Sequence, residues 1–176
     1  MDEIALKALI RDIPDFPEPG VVFKDITPLL GDAAAFSHVV DVLAGHYAGR
    51  GVTKVAGIEA RGFIFAAPVA VRLGAGFVPV RKEGKLPHEV EGENYELEYG
   101  TDLLEIHKDA VHDGDRVLIV DDVLATGGTA AATVRLMRRM GAGVVGIAVL
   151  VELEFLGGRS KLEGIELLTL MGYDGG

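Results

Sequence analysis

The sequence predicts an α/β protein with a central, mostly parallel sheet flanked by helices. Uninterrupted apolar runs at 54–58, 116–120 and 144–151 suit strands buried on both faces rather than half-exposed ones. Segments with helical spacing of apolar residues lie between those runs. The 24 glycines punctuate the runs as turns, with no collagen-like period and no internal repeat. At 176 residues, 49% of them apolar, the chain has the length of one domain (1–176) and enough apolar content for a core without covalent staples.

Asp2 to Arg11 reads as a first short helix, ended by Pro14. Residues 12–31, DIPDFPEPGVVFKDITPLLG, carry apolar anchors such as Phe16, Val22, Phe23 and Ile26 but no clean period, and are expected to be an irregular functional segment. Asp32 can cap the next helix, where Phe36, Val39, Val40, Leu43 and Tyr47 share one face. Lys54–Ile58 reads as a buried strand ending at Glu59, Gly62 to Leu73 as a helix, and Phe77–Val80 as the next strand. Residues 83–93, EGKLPHEVEGE, are polar and Gly/Pro-containing and read as a mobile stretch. YELEYGTDLLEIH alternates around Gly100 as a hairpin. Arg116–Val120 reads as a central strand, followed by a Gly/Thr turn. The next helix carries Ala130, Val134 and Met137 on one face, Arg138 and Arg139 in its last turn and Gly141 just past its end. Val144–Val151 and Ile165–Leu170 complete the strands.

Composition excludes several chemistries. The chain has no Cys, which removes disulfides, thiolate metal sites and a Cys nucleophile. Its 27 acidic and 17 basic residues give a net charge of −10, the wrong sign for a nucleic-acid surface, although a local basic pocket for a small polyanion remains compatible. No apolar run approaches the ~18 residues of a membrane span. The opening MDEIALKALIRDIP lacks a basic and apolar leader, so the expected location is the cytoplasm.

In sheets of this kind ligands bind beyond the carboxyl ends of the strands, so chemistry is sought just after each apolar run. The strongest signal is Val117-Leu118-Ile119-Val120-Asp121-Asp122-Val123-Leu124-Ala125-Thr126-Gly127-Gly128-Thr129. A buried strand delivers two adjacent carboxylates, and the chain then enters a helix through Ala125-Thr126-Gly127-Gly128-Thr129. The glycines let successive backbone N–H groups curl inward, the threonines add hydroxyls and the helix N-terminus adds its dipole, which together make a phosphate cradle. Asp121 and Asp122 suit the paired hydroxyls of a sugar diol. Phosphate donors beside diol acceptors describe a ribose 5-phosphate site. The plain alternative, a strand and a capped helix without a ligand, leaves paired aspartates at a buried strand end without a task.

That string resembles the phosphoribosyl diphosphate signature of the type I phosphoribosyltransferases. Phe16-Pro17-Glu18-Pro19-Gly20, Glu59-Ala60-Arg61-Gly62, the 81–87 segment RKEGKLP and Tyr95-Glu96-Leu97-Glu98-Tyr99-Gly100 extend the resemblance over roughly residues 1–172 and narrow it to the adenine-specific members. The resemblance implies a type I core with a small N-terminal hood (about 12–31) and a flexible loop and hairpin lid (about 83–107). It implies that Glu59, Ala60, Arg61 and Lys82 meet a pyrophosphate, a role that suits a helix start and two cations. It implies that Val22, Phe23 and Lys24 belong to the base slot, with Phe23 stacking on the purine and backbone groups near Val22 reading its exocyclic amine. At Lys24 many relatives carry Arg, so charge is kept while bidentate geometry is lost. Glu98 and Tyr99 correspond to a Glu-Tyr pair that closes over the site, with Glu98 the proton-transfer group.

The implied reaction is Mg2+-dependent transfer of a 5-phosphoribosyl group from 5-phosphoribosyl 1-diphosphate to adenine, giving AMP and diphosphate, with Glu98, Arg61, Asp121 and Asp122 as catalytic residues. The ion is expected on substrate oxygens and water rather than on dedicated protein ligands. The family also implies a homodimer, with small molecules as partners rather than nucleic acid or membrane. Two other readings keep parts of this picture: the same reaction on a 6-oxopurine, and a regulator that binds phosphoribosyl diphosphate without catalysis.

Other motifs carry less. Gly141-x-Gly143-x-x-Gly146 follows a helix and enters a strand, the reverse of a dinucleotide fingerprint. The histidines at 38, 46, 88, 107 and 112 show no zinc spacing. Asp113-Gly114-Asp115 is too short for a calcium loop, and Gly157-Gly158-Arg159-Ser160 reads as a turn, not a nucleophile elbow.

Overall fold

A computed structural model describes residues 1–96 and 100–175. Seven strands form one sheet in the order β5-β6-β4-β3-β7-β8-β9: β3 (Lys54–Ile58), β4 (Gly76–Lys82), β5 (Val90–Glu96), β6 (Thr101–His107), β7 (Arg116–Leu124), β8 (Gly143–Leu153) and β9 (Leu167–Tyr173). The pairs β3–β4, β3–β7, β7–β8 and β8–β9 are parallel, and the β5–β6 hairpin adds an antiparallel edge. Both faces of the parallel part are covered, which is why its strands read as continuous apolar runs. On one face, Val117 and Ile119 pack with Val134, Leu136 and Met137 of α5 (Gly128–Arg139). On the other, Leu118 and Val120 pack with α3 (Ala33–Tyr47) and α4 (Gly62–Leu73).

Helix α3 begins where the sequence places it, because the Asp32 carboxylate accepts from Ala35 N at 2.9 Å. Helix α5 stops ahead of Gly141, whose φ is +90°. The N-terminal region departs from the sequence reading. The first helix, α1, covers only Glu3–Lys7, and Arg11–Pro14 is instead a strand, β1. It pairs antiparallel with β2 (Val22–Asp25), and α2 (Thr27–Gly31) follows. The segment expected to be irregular is thus a two-stranded ribbon and a helical turn. The short, heavily exposed β1 carries no apolar alternation from which to read a strand. The stretch expected to be mobile likewise enters β5 at Val90, ahead of the predicted hairpin. Among the described residues no helix is long and apolar enough to cross a membrane.

Candidate active site at the strand ends

The carboxyl ends of β3, β4 and β7 meet at one cleft of about 260 Å³. Strand β7 runs to Leu124 rather than ending at Val120, and its last two residues pair with Val151 and Glu152 of β8. Asp121 and Asp122 therefore stand within the strand, and only Ala125–Gly127 separate it from α5. Both carboxylates line the cleft beside the turn from β3 into α4. The approach is close: a Cβ on Gly62 would lie 2.7 Å from Asp121 Oδ1 and 3.2 Å from its Cα. Only a glycine opens α4 there without moving the aspartate.

The two carboxylates are held differently. Asp121 Oδ1 accepts from the Asp122 backbone N–H at 2.8 Å. Burial and then the neighbouring Asp122 carboxylate push its pKa well above the usual carboxylate range. Asp122 is buried, and Arg61 Nε lies 2.8 Å from its Oδ2. The guanidinium N–H is not aimed at that oxygen, which has a charge partner and no directed hydrogen bond. Oδ2 is thus a buried acceptor with capacity left for a ligand hydroxyl.

The turn after β3 is tied to the end of β4. Glu59 accepts from Arg81 Nε at 3.3 Å and Nη2 at 3.1 Å through Oε2, and from the Lys82 backbone N–H through Oε1. Glu59 therefore orients this turn with both its oxygens engaged. Ala60 and Arg61 follow it into the cleft. The Lys82 ammonium sits 3.4 Å from Asp102 Oδ2, which also accepts from Tyr95 OH at 2.9 Å. The Leu103 N–H and then the Tyr95 hydroxyl hold the Asp102 carboxyl below its ordinary value. Burial and then Asp102 push Tyr95 upward.

The loop after β7 lines a smaller cavity of about 80 Å³ with Ala125, Thr126, Gly127, Gly128 and Thr129. Gly127 has φ +78° at the N-cap of α5, a conformation open to glycine at no steric cost. Thr129 lines both cavities, so the loop and the cleft are contiguous.

Of the ribbon residues, Phe23 lies under the Arg61 guanidinium at 4.8 Å and edge-on to Phe16 at 5.2 Å. Val22 pairs with Pro14. Lys24 points elsewhere: its ammonium is buried, 2.8 Å from Asp12 Oδ1 and 4.4 Å above the Tyr173 ring. Strand alternation separates it from Phe23, so its charge serves the ribbon's attachment to β9 rather than the cleft. Glu98 and Tyr99 lie outside the described residues. The sequence reading gave no role to Tyr95, Asp102 or Arg81. The first two meet only through the hairpin register Tyr95↔Asp102, which no local periodicity reveals.

Such a sheet, with a carboxylate pair and a Gly/Thr loop at the C-terminal end of one central strand and a cationic turn at the end of the next, defines a phosphoribosyl-binding fold. Residues 32–164 match the model of the phosphoribosyl transferase domain, and the chain belongs to that family. Within it, the similar proteins are adenine phosphoribosyltransferases. The one from Thermobifida fusca is 64% identical over 161 residues, 92% of each chain. The crystal structure of adenine phosphoribosyltransferase from Rhodothermus marinus superposes with a TM-score of 0.93 at 52% identity, covering 97% of both chains. That from Saccharomyces cerevisiae, complexed with D-2,5-dideoxy-2,5-imino-altritol 1,6-bisphosphate and adenine, gives 0.90 at 41% identity, covering 96% of this chain and 97% of that one.

Proposed function

We propose that this protein transfers the 5-phosphoribosyl group of 5-phosphoribosyl 1-diphosphate to N9 of adenine, forming AMP in purine salvage. The observation that carries the reading is the cleft that gathers Arg61, Lys82, Asp121, Asp122 and Thr129, contiguous with the Gly/Thr loop and with the Phe23 ring against Arg61. In the reaction the bond from C1 of the ribose to the diphosphate oxygen breaks, the bond from C1 to N9 forms, and N9 gives up its proton. The anomeric carbon can support positive charge, so no protein nucleophile is needed, in keeping with a chain that lacks Cys.

The work of the protein is then positioning and electrostatic stabilisation. The Ala125–Thr129 loop and the α5 dipole take the 5-phosphate. Asp121 and Asp122 accept from the ribose hydroxyls. Arg61 and Lys82 draw on the diphosphate, with Glu59 and Ala60 setting the turn. Phe23 stacks on the base, with backbone groups near Val22 choosing it. Glu98 takes the N9 proton, and Tyr99 closes with it to exclude water. Mg2+ keeps several waters and takes its other ligands mainly from the substrate, so no residue of the chain is assigned to it as a dedicated ligand. When bound, it neutralises charge on the diphosphate. In this reading the whole chain is one domain, with the hood at 12–31 and the lid at 83–107. It works in the cytoplasm as a homodimer, without nucleic-acid or membrane partners.

A spectrophotometric assay with phosphoribosyl diphosphate, Mg2+ and each purine base in turn tests the reading. AMP from adenine alone is expected. Turnover of a 6-oxopurine instead keeps the ribose site and overturns the base slot. Donor binding without turnover of any base overturns catalysis and leaves a binding regulator.

A further inference from the structure

The segment after β8 has no part in the site as described, yet it touches the phosphate loop. Two 3-10 turns, Glu154–Leu156 and Gly158–Leu162, lie there. Gly158 abuts the loop backbone: a Cβ on Gly158 would overlap the Ala125 carbonyl oxygen and lie 2.8 Å from Gly127 N and 3.0 Å from Thr126 C. The contact is reciprocal, because a Cβ on Gly127 would overlap the Gly158 carbonyl and lie 3.0 Å from its Cα. Gly158 does not itself adopt the left-handed conformation, so space rather than dihedral freedom requires a glycine there.

Two anchors fix this contact. Leu162 is buried in the α5 side of the core. Arg159 donates from Nε to Glu152 Oε1 at 3.0 Å and from Nη2 to Oε2, a two-pronged pair on a carboxylate that is 4% exposed. Glu152 stands in register with Leu124, the last residue of β7 before the loop begins. One buried carboxylate thus links the strand that launches the loop to the turn that backs it. Surface ion pairs add little, but a buried carboxylate stripped of the only charge partner it has among the described residues is strongly unfavourable, so this link is held firmly.

We infer that Gly158 and the Glu152–Arg159 pair are positioning residues, a brace that sets the curvature of the Ala125–Gly128 loop for the donor's 5-phosphate. The inference rests on the reading of that loop as the 5-phosphate site. The brace meets the loop at Gly127 and is anchored on Glu152 and the α5 side of the core, away from the residues assigned to the pyrophosphate and the base. Its removal should therefore damage one half of donor recognition and spare the other.

The test compares binding of two probes, ribose 5-phosphate and inorganic pyrophosphate, by calorimetry on the full chain and on Gly158→Ala, Arg159→Met and Arg159→Lys variants. Thermal unfolding identifies the variants that fold. In folded Gly158→Ala and Arg159→Met, ribose 5-phosphate is expected to bind at least about tenfold more weakly, because loop misplacement of an ångström has effects of this order or larger. Pyrophosphate binding should stay within about twofold, KM for phosphoribosyl diphosphate should rise and KM for adenine should not. Arg159→Lys, which keeps the charge but not the fork, should fall between wild type and Arg159→Met. If Gly158→Ala does not fold, the Arg159 pair decides alone. A lower unfolding temperature with an unchanged ratio of the two affinities means that the segment is merely structural, and overturns the brace. If the wild-type chain binds pyrophosphate but not ribose 5-phosphate, the loop reading itself fails and the brace falls with it.

Discussion

At the scale of single residues, the aspartate pair is the costly element of the site. Asp121 is desolvated and faces the Asp122 carboxylate, and both effects raise its pKa above the ordinary 3.8. The consequence for stability has a definite sign. Between the unfolded and folded pKa values the folded chain holds a proton that the unfolded chain has released. This group's contribution is therefore greatest below about pH 4 and declines as pH rises towards the folded value. Asp121→Asn is accordingly expected to raise the unfolding temperature of the ligand-free protein at neutral pH and to flatten that decline, measured by calorimetry across pH. The same change should weaken donor binding by about 1.5–3 kcal/mol, the worth of a charge-assisted hydrogen bond. Asp122→Asn should lose comparable binding without the gain in stability, because Asp122 is neutralised by Arg61 at 2.8 Å. Unchanged donor affinity in the double variant would remove the diol role. That two aspartates end a buried strand is legible in the sequence. That one is paired with Arg61 and the other is not depends on the turn after β3 folding back against β7, a contact between residues 61 positions apart in the chain, Arg61 and Asp122.

At the scale of elements, the parallel strands and α3, α4 and α5 were legible because their apolar patterns serve a two-faced core that any solution must bury. The ribbon and the start of the hairpin were less so: the ribbon is tied down by charge, and the hairpin, although it buries Tyr95, Leu104 and Ile106 in the core, opens with a polar stretch that charge holds to α5. The ribbon's hold on β9 is Lys24, placed between Asp12 and the Tyr173 ring, with Lys7 4.8 Å from the same ring. Cation–π contacts of this kind are worth about 0.5–2 kcal/mol, so Tyr173→Ala should raise KM for adenine about fivefold and leave KM for the donor unchanged. Tyr173→Phe keeps the ring and should be silent in the same steady-state comparison. The hairpin is held to α5 by Glu93, which meets Arg135 Nε at 2.8 Å and also Arg139, with Glu91 3.3 Å from Arg139 Nε. The Arg135 hydrogen bond is the largest influence holding the Glu93 carboxyl below its ordinary 4.5. Its stabilisation is thus complete above about pH 4.5 and is lost as pH falls through the folded value. The two arginines are about half-exposed, so Glu93→Gln should cost only about 1 kcal/mol. Local opening of β5 should then become about fivefold more frequent, read by hydrogen exchange, and 1 M salt should produce a similar change in the wild-type chain. Exchange that is indifferent to both would show that apolar contacts such as Tyr95 on α5 hold the hairpin instead.

At the scale of the whole molecule, β7, like its neighbours β3 and β8, is shared by both halves of the core. Its side chains alternate between the α5 face, through Val117 and Ile119, and the α3–α4 face, through Leu118 and Val120, and all four are fully buried. The same strand then delivers the aspartates and the phosphate loop, so core packing and site geometry are set by one backbone. A donor that spans the ends of β3, β4 and β7 binds only when the whole sheet is assembled. At a concentration of about 100 times Kd it should therefore add roughly 2.7 kcal/mol to global stability. For a chain of this size that corresponds to an unfolding temperature about 5–11 °C higher. The shared strand also predicts that the two core faces do not melt apart. Ile119→Ala and Leu118→Ala open cavities on opposite faces, and each should cost about 2–5 kcal/mol. If the sheet transmits the loss, each variant shows one transition at which near-ultraviolet and far-ultraviolet circular dichroism fall together, and the donor raises both midpoints by the same increment as in wild type. Were the faces independent, Ile119→Ala would melt the α5 side first, giving two steps, and the donor would restore only that step because the loop enters α5. The alternation along β7 argues for the single transition. No backbone hydrogen bond of the central strand can be kept by one face and surrendered by the other, since both faces are packed on the same nine residues.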